Sequence, residues 1–210
     1  VKYFSRTKKA DVYLENGIIM RGDEPVVHIE DIKIPGMHNV ENYMTAIAAV
    51  EGLVDDSVIT EVAKEFGGVE HRIELVRTLD GVRYYNSSID SSPNRTMNTL
   101  NVFPQKVILI SGGKDKGIPY DAIGKPITEH VKTLILIGAT TDKIEEAVKA
   151  AGGEQPEIIK LNSYEEVVKT AREKAVSGDV VLLSPASTSF DMFKNFEERG
   201  KLFKKLVNEL

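Results

Sequence analysis

The run Val107-Ile108-Leu109-Ile110-Ser111-Gly112-Gly113-Lys114-Asp115-Lys116-Gly117 decides the fold: four consecutive apolar residues without alternation, then a glycine-rich charged turn. A strand with apolar side chains on both faces is buried on both, as in a parallel sheet covered by helices. Apolar runs recur at residues 134–137, 158–161 (interrupted by Lys160) and 180–183, with helical stretches near 96–102, 142–151 and 163–175 between the runs. This alternation predicts βαβ units, an α/β Rossmann-like domain with a mostly parallel sheet. Ser163 followed by Glu166 is a capping box that fixes one helix start. A last helix over 193–209 carries Phe196, Leu202, Phe203 and Leu206 as its core stripe.

Upstream, strands at 73–79 and 82–85 are joined by Asp80-Gly81, a hairpin signal, and a domain starts near Val69. Before it, Asp11-Val12-Tyr13-Leu14 and Ile18-Ile19-Met20 flank Glu15-Asn16-Gly17, so residues 1–34 read as small antiparallel strands. An alanine-rich helix follows at 40–53, and Ser57 is positioned to cap a second that runs to Gly67-Gly68. No buried parallel-strand run precedes this helical pair, so residues 1–68 read as the rear of a larger domain and 69–210 as a second one.

Composition narrows the function. The 210 residues include 27 Lys plus Arg against 32 Asp plus Glu, a net charge of −5, which builds no broad positive field for nucleic acid. With no cysteine there is neither thiol catalysis nor cysteine-ligated zinc, and the compartment is drawn weakly towards an intracellular one. The apolar runs are far short of the ~20 residues of a membrane helix, so no membrane insertion is expected. The start, Val1-Lys2-Tyr3-Phe4-Ser5, has neither an initiator Met nor a signal-peptide core, which reads as a fragment of a longer chain.

Ligands bind beyond the carboxyl ends of parallel strands, so three loops are the candidates. Asn86-Ser87-Ser88-Ile89-Asp90-Ser91-Ser92-Pro93 offers hydroxyls and helix-terminal N–H groups to an anion, or is a capped turn. Gly112-Gly113-Lys114-Asp115-Lys116-Gly117 offers backbone amides and two ammonium groups, or is a solvated glycine turn. Ser184-Pro185-Ala186-Ser187-Thr188-Ser189-Phe190-Asp191 suits a small anion enclosed by Phe190 or Phe196, unless both aromatics are core. His71-Arg72, at the inferred junction, suits a phosphate or ribose or a boundary salt bridge. His28, His38, His71 and His130 have no metal-ligand spacing, no GxSxG elbow exists, and no Gly-Lys-Ser/Thr phosphate loop occurs in the chain.

Taken together, Gly36-Met37-His38-Asn39-Val40-Glu41-Asn42, Gly68-Val69-Glu70-His71-Arg72-Ile73-Glu74, Tyr85-Asn86-Ser87-Ser88, the 112–117 loop and the 183–191 and 195–200 runs resemble the Mur ligase family, and most closely its D-glutamate-adding branch. The order and spacing of these motifs carry the resemblance. It implies a three-domain cytoplasmic enzyme of peptidoglycan synthesis, with residues 1–68 ending a P-loop-type central domain that holds ATP and Mg2+. It implies further that Asn39 and Asn42 contact adenine, that Arg72 reaches the ATP ribose or phosphates, and that Lys116, Ser189, Phe196 and Ser91 hold D-glutamate. No catalytic residue and no metal ligand is assigned within the chain.

The family's loop often reads Asp-Ser-Lys where this chain has Ser87-Ser88-Ile89, so the roles of that Asp and Lys are not carried over. The implied reaction is amide formation: the carboxylate of UDP-N-acetylmuramoyl-L-alanine is phosphorylated, and the D-glutamate amine attacks the acyl phosphate. The residues present orient substrates, which implies a chain inactive alone. Two other readings remain, a folylpolyglutamate synthase-like ligase and a non-catalytic Rossmann-like binding module.

Overall fold

The computed structural model describes residues 1–210 and divides into two compact units, Val1–Gly68 and Val69–Leu210. In the first, strands β1 (Phe4–Ser5), β2 (Val12–Glu15), β3 (Ile18–Arg21) and β4 (Glu24–His28) form one sheet in that order. Asn16 and Gly17 take φ of 49° and 79°, the paired left-handed turn that Asn-Gly predicts. The strands are not all antiparallel as expected: β1 runs parallel to β2, held by a two-residue register. Helices α1 (Met37–Ala49) and α2 (Asp56–Glu65) cover the sheet, burying Val40, Met44, Ile47, Ile59 and Ala63 against Val12, Ile19 and Val27.

Both helices are displaced from their expected bounds. Gly36, at φ 102°, lets α1 start three residues before Val40, and it ends before Leu53. Ser57 is not the cap of α2: Asp55 holds that position in extended conformation, and Ser57 lies inside the first turn. A carboxylate pair at 55 and 56 is favoured at the positive end of the helix dipole, and the sequence offers it just before the serine.

The second unit is built on a six-stranded sheet in the order β5 (Glu74–Leu79), β6 (Val82–Asn86), β10 (Val180–Leu183), β7 (Val107–Ser111), β8 (Val131–Ile137) and β9 (Glu157–Leu161). Every neighbouring pair is parallel except β5 with β6, the hairpin closed by Asp80 and Gly81 at φ 50° and 78°. Pleating explains the unbroken apolar runs. Val107 and Leu109 enter one core with α3 (Pro93–Leu100), α4 (Gly124–His130) and α5 (Thr141–Ala151), while Ile108 and Ile110 enter the other with α6 (Tyr164–Lys174) and α7 (Phe196–Asn208).

Ser163 caps α6 by accepting from the Glu166 amide, as the sequence predicts. Helix α3 starts earlier than 96 because Pro93 occupies its first position. The seven-residue α4 was not anticipated, since its Gly124-Lys125-Pro126 start carries no helix-forming signal. Helix α7 begins at Phe196 rather than 193, where the Asn195 side chain accepts from the Glu198 amide. Its buried face is Arg199, Gly200, Phe203 and Val207, whereas Phe196, Leu202 and Leu206 are half-buried. No helix is long and apolar enough to cross a membrane.

Candidate functional site

The three expected loops follow β6, β7 and β10, neighbours in the sheet, so the strand order brings them to one edge. Hydrogen bonds then tie them together. Gly112 N–H donates to Pro185 O at 2.8 Å, and the Lys114 and Thr188 amides exchange bonds at 2.8 and 3.2 Å. On the other side, the buried Asp90 carboxylate accepts from Thr99 at 2.7 Å and from Ser184 at 2.8 Å. Ser184 also shares a 2.8 Å bond with the Thr96 hydroxyl.

Glycine is required where the backbones approach. Gly113 has φ 146°, and a Cβ there would sit 2.2 Å from Thr188 O; at Gly112 it would sit 2.0 Å from Ile137 O. Beneath, Tyr120 and Thr140 each share a 2.8 Å bond with the Ser187 hydroxyl, while Ser111 Oγ is buried without a partner.

Of the residues expected to hold an amino acid, Lys116 and Ser91 meet: the exposed ammonium donates to Ser91 Oγ at 3.4 Å across two loops. Ser189 is buried in the third loop, its carbonyl accepting from the Met192 and Phe193 amides. Phe196 stands at the start of α7, half-buried, with its ring edge-on to His71 at 5.9 Å. Phe190 is not core: it is 61% exposed at the rim. Asp115 is tied to Lys143, which holds its carboxyl below the usual range and, with the Gly117 amide, orders the lysine-bearing turn.

Arg72 is exposed and makes no ion pair. Its neighbours are held unusually. His71 and Ile73 both adopt left-handed φ, 66° and 49°, and both are buried, which turns Arg72 outward. For a β-branched residue that conformation is strained.

His71 Nδ1 lies 2.8 Å from the Asn86 amide nitrogen, whose oxygen is committed to the Ser88 amide, so Nδ1 accepts there, while Nε2 is buried without a hydrogen-bond partner. Glu70 and Glu74 converge on the same place, where Lys204 bonds both. This cluster is not built for a metal. A ligating histidine donates from its second nitrogen, and here that nitrogen faces a donor.

Asn39 and Asn42, in the first unit, are also brought together: Asn42 Nδ2 donates to Asn39 Oδ1 at 3.3 Å, and Asn39 Nδ2 to Pro35 O at 2.7 Å. An open cleft of about 350 Å³ in that unit lies elsewhere, lined by Arg21, Gly52, Leu53, Val54, Asp55 and Asp56.

Two residues that tie the site loops together do not stand out in the sequence. Asp90 reads in the sequence as one member of a polar loop, yet its bond to Ser184 fastens the loop after β6 to the one after β10. Arg199, 1% exposed, is the largest fully buried side chain. Its signal was available, because it sits four and eight residues before Phe203 and Val207 on the apolar face of α7.

Comparisons with known proteins follow the same lines. The model of the Mur ligase glutamate ligase domain matches residues 71–187. UDP-N-acetylmuramoylalanine–D-glutamate ligases of Ruminiclostridium cellulolyticum and Acetivibrio thermocellus are 54% and 53% identical over 99% and 100% of this chain, and 47% of each relative is covered. The chain thus spans about half the length of the curated relatives it matches. Among solved structures, UDP-N-acetylmuramate-alanine ligase of Thermotoga maritima superposes with a TM-score of 0.70 at 16% identity, over 98% of this chain and 47% of that one. The bifunctional folylpolyglutamate synthase/dihydrofolate synthase of Yersinia pestis gives 0.66 at 14%, over 97% and 47%. At such identities these two likenesses fix the fold alone.

Proposed function

The chain belongs to the Mur ligase family, and from that premise we propose that it is part of a cytoplasmic ATP-dependent ligase that joins D-glutamate to UDP-N-acetylmuramoyl-L-alanine in peptidoglycan synthesis. Residues 1–68 are then the rear of the central nucleotide-binding domain, and 69–210 the domain that presents the incoming amino acid. The observation that carries the reading is the Lys116 ammonium set on Ser91 across two loops.

An ammonium with adjacent hydroxyls binds carboxylate oxygens, and such charge-assisted bonds are about twice as strong as neutral ones. Lys116, Ser91 and Ser189 hold the carboxylates of D-glutamate, Phe196 closes one wall, and the amine is left free to attack. Holding the amine against an activated acyl group turns a bimolecular step into a nearly unimolecular one. The carbon–nitrogen bond forms as phosphate leaves the acyl carbon and the amine gives up its proton.

The side-chain chemistry of Asn39 and Asn42 fits an adenine edge, since amides both donate and accept. Arg72, exposed and free of ion pairs, fits a phosphate or ribose. For Mg2+ the residues present do not fit: the chain has no phosphate loop, and in its His–Glu cluster both carboxylates are bonded by Lys204 while His71 Nδ1 faces the Asn86 amide. No step is assigned to the metal here, and the chain by itself does not turn over. The folate-ligase reading is supported by the shared fold alone, whereas relatives at 53–54% identity are named for D-glutamate.

The test is a titration of the chain with D-glutamate, with L-glutamate as control, following the amide resonances of Lys116 and Ser189. Selective shifts with the D-isomer are expected. Equal response to both isomers, or to neither, overturns the reading.

A further inference from the structure

The guanidinium of Arg199 is buried with no carboxylate in ion-pair contact: Asp191 and Asp90 attract it from a distance, Tyr164 bonds it from α6, and its shortest bonds go to neutral groups of the loops. Nε donates to Ser88 Oγ at 3.0 Å, Nη2 to Ser88 O at 2.8 Å and Nη1 to Ser187 O at 3.1 Å. The same Nη1 would lie 3.1 Å from a Cβ at Gly113. One planar group on α7 therefore bonds the loop after β6 and the loop after β10, and lies close against Gly113 in the loop after β7. The same three loops carry Ser91, Lys116 and Ser189, the residues proposed above to hold the amino acid.

A buried charge is tolerated only when its hydrogen-bonding capacity is met, and an arginine meets it in a rigid fork. Here two arms of the fork are spent on the main chain of two loops and the third on the Ser88 hydroxyl. That is an arrangement for fixing loop positions, because a carbonyl cannot swing away from its backbone as a side chain can. Ser88 couples the fork to the aromatic wall as well, since its hydroxyl donates to Phe196 O at 2.7 Å. Ser187 extends it in the other direction, to Thr140 and Tyr120.

We infer that Arg199 is the positioning residue that makes one acceptor amino-acid site of three separate loops, and that it acts through its fork rather than through contact with the ligand. The ligand named here rests on the reading above. Arg199→Lys keeps the charge and loses the fork, so it isolates the claim. Ser88→Ala removes the Nε partner together with the bond to Phe196 O, leaves both carbonyl partners of the fork in place, and serves as a second, milder variant should Arg199→Lys not fold.

The experiment records amide resonances of wild type and both variants, with and without D-glutamate, beside their unfolding midpoints. In Arg199→Lys the amides of Ser88, Gly113 and Ser187 shift together, and the D-glutamate dissociation constant rises by about tenfold. A purely structural arginine would lower the midpoint and leave the folded protein's affinity unchanged, and that result overturns the inference. Shifts confined to one loop overturn it as well. If wild type ignores D-glutamate while the three loops still move together, the positioning role stands and the ligand assignment falls.

Discussion

The carboxylate of Asp90 accepts a hydrogen bond from the Ser184 hydroxyl at 2.8 Å, although 94 residues separate them. That carboxylate is buried and also holds Thr99, so it has two hydroxyl donors that water cannot replace. Removing one partner from a buried pair costs about 1–3 kcal/mol. Asp90→Ala is expected to destabilise the second unit by about 2–4 kcal/mol, and Asp90→Asn by less, because the amide oxygen still accepts. Denaturant unfolding of both variants checks this; equal losses would mean that packing, not acceptance, sets the cost.

Lys116→Met tests the rim. Lys116 is exposed, so stability should stay within about 0.5 kcal/mol of wild type. The dissociation constant for D-glutamate should rise about tenfold, read by the same amide titration. Unchanged affinity would remove Lys116 from the site.

Gly113 and Gly117 make a matched pair. Both have positive φ, but a Cβ at Gly113 would lie 2.2 Å from Thr188 O, whereas at Gly117 it meets nothing within 4 Å. Gly117→Ala is expected to cost about 1 kcal/mol of left-handed strain. Gly113→Ala adds a collision with main chain, so about 3 kcal/mol is expected, together with loss of slow hydrogen exchange at the Lys114 and Thr188 amides. Similar unfolding midpoints for the two variants would contradict this.

Tyr164 gives a pH dependence. Burial pushes its phenol from 10 up to about 12, with Arg199 pulling the other way. The folded state therefore keeps the neutral phenol while the unfolded chain ionises near 10. The stability from this group is complete below about pH 10 and is lost as pH climbs from 10 to 12, by roughly 3 kcal/mol at most. Tyr164→Phe should flatten that fall in midpoint against pH, and an unchanged slope would assign it to other groups.

Cap chemistry provides a control far from the site. Ser163 accepts from the Glu166 amide at 3.2 Å, and Ser163→Ala is expected to cost about 1 kcal/mol with no change in D-glutamate affinity.

Much of this was legible because it is local. Unbroken apolar runs announce strands buried on both faces, Asn16-Gly17 and Asp80-Gly81 set their turns by φ alone, and Ser163 with Glu166 fixes a helix start. Each signal lies within a few residues, where spacing and backbone conformation decide the outcome. Local rules failed where two of them competed, as at Asp55 and Ser57, or where no strong former was present, as in the Gly-Pro start of α4. The family motifs likewise lie in contiguous runs, so the site loops were visible before their geometry was.

Tertiary structure alone decided which loops meet. The strand order β6, β10, β7 places the ends of residues 86, 183 and 111 side by side, and no periodicity encodes that order. It decided that Lys116 reaches Ser91, that Asp90 reaches Ser184 and that Arg199 lies beneath all three loops. These are contacts between residues 12 to 111 positions apart, set by how the sheet and helices pack. Sequence fixes which groups can donate, accept or carry charge, because that is a property of each side chain. Whether a buried arginine faces a carboxylate or two carbonyls is a property of what packs around it, and that is settled only when the chain is folded.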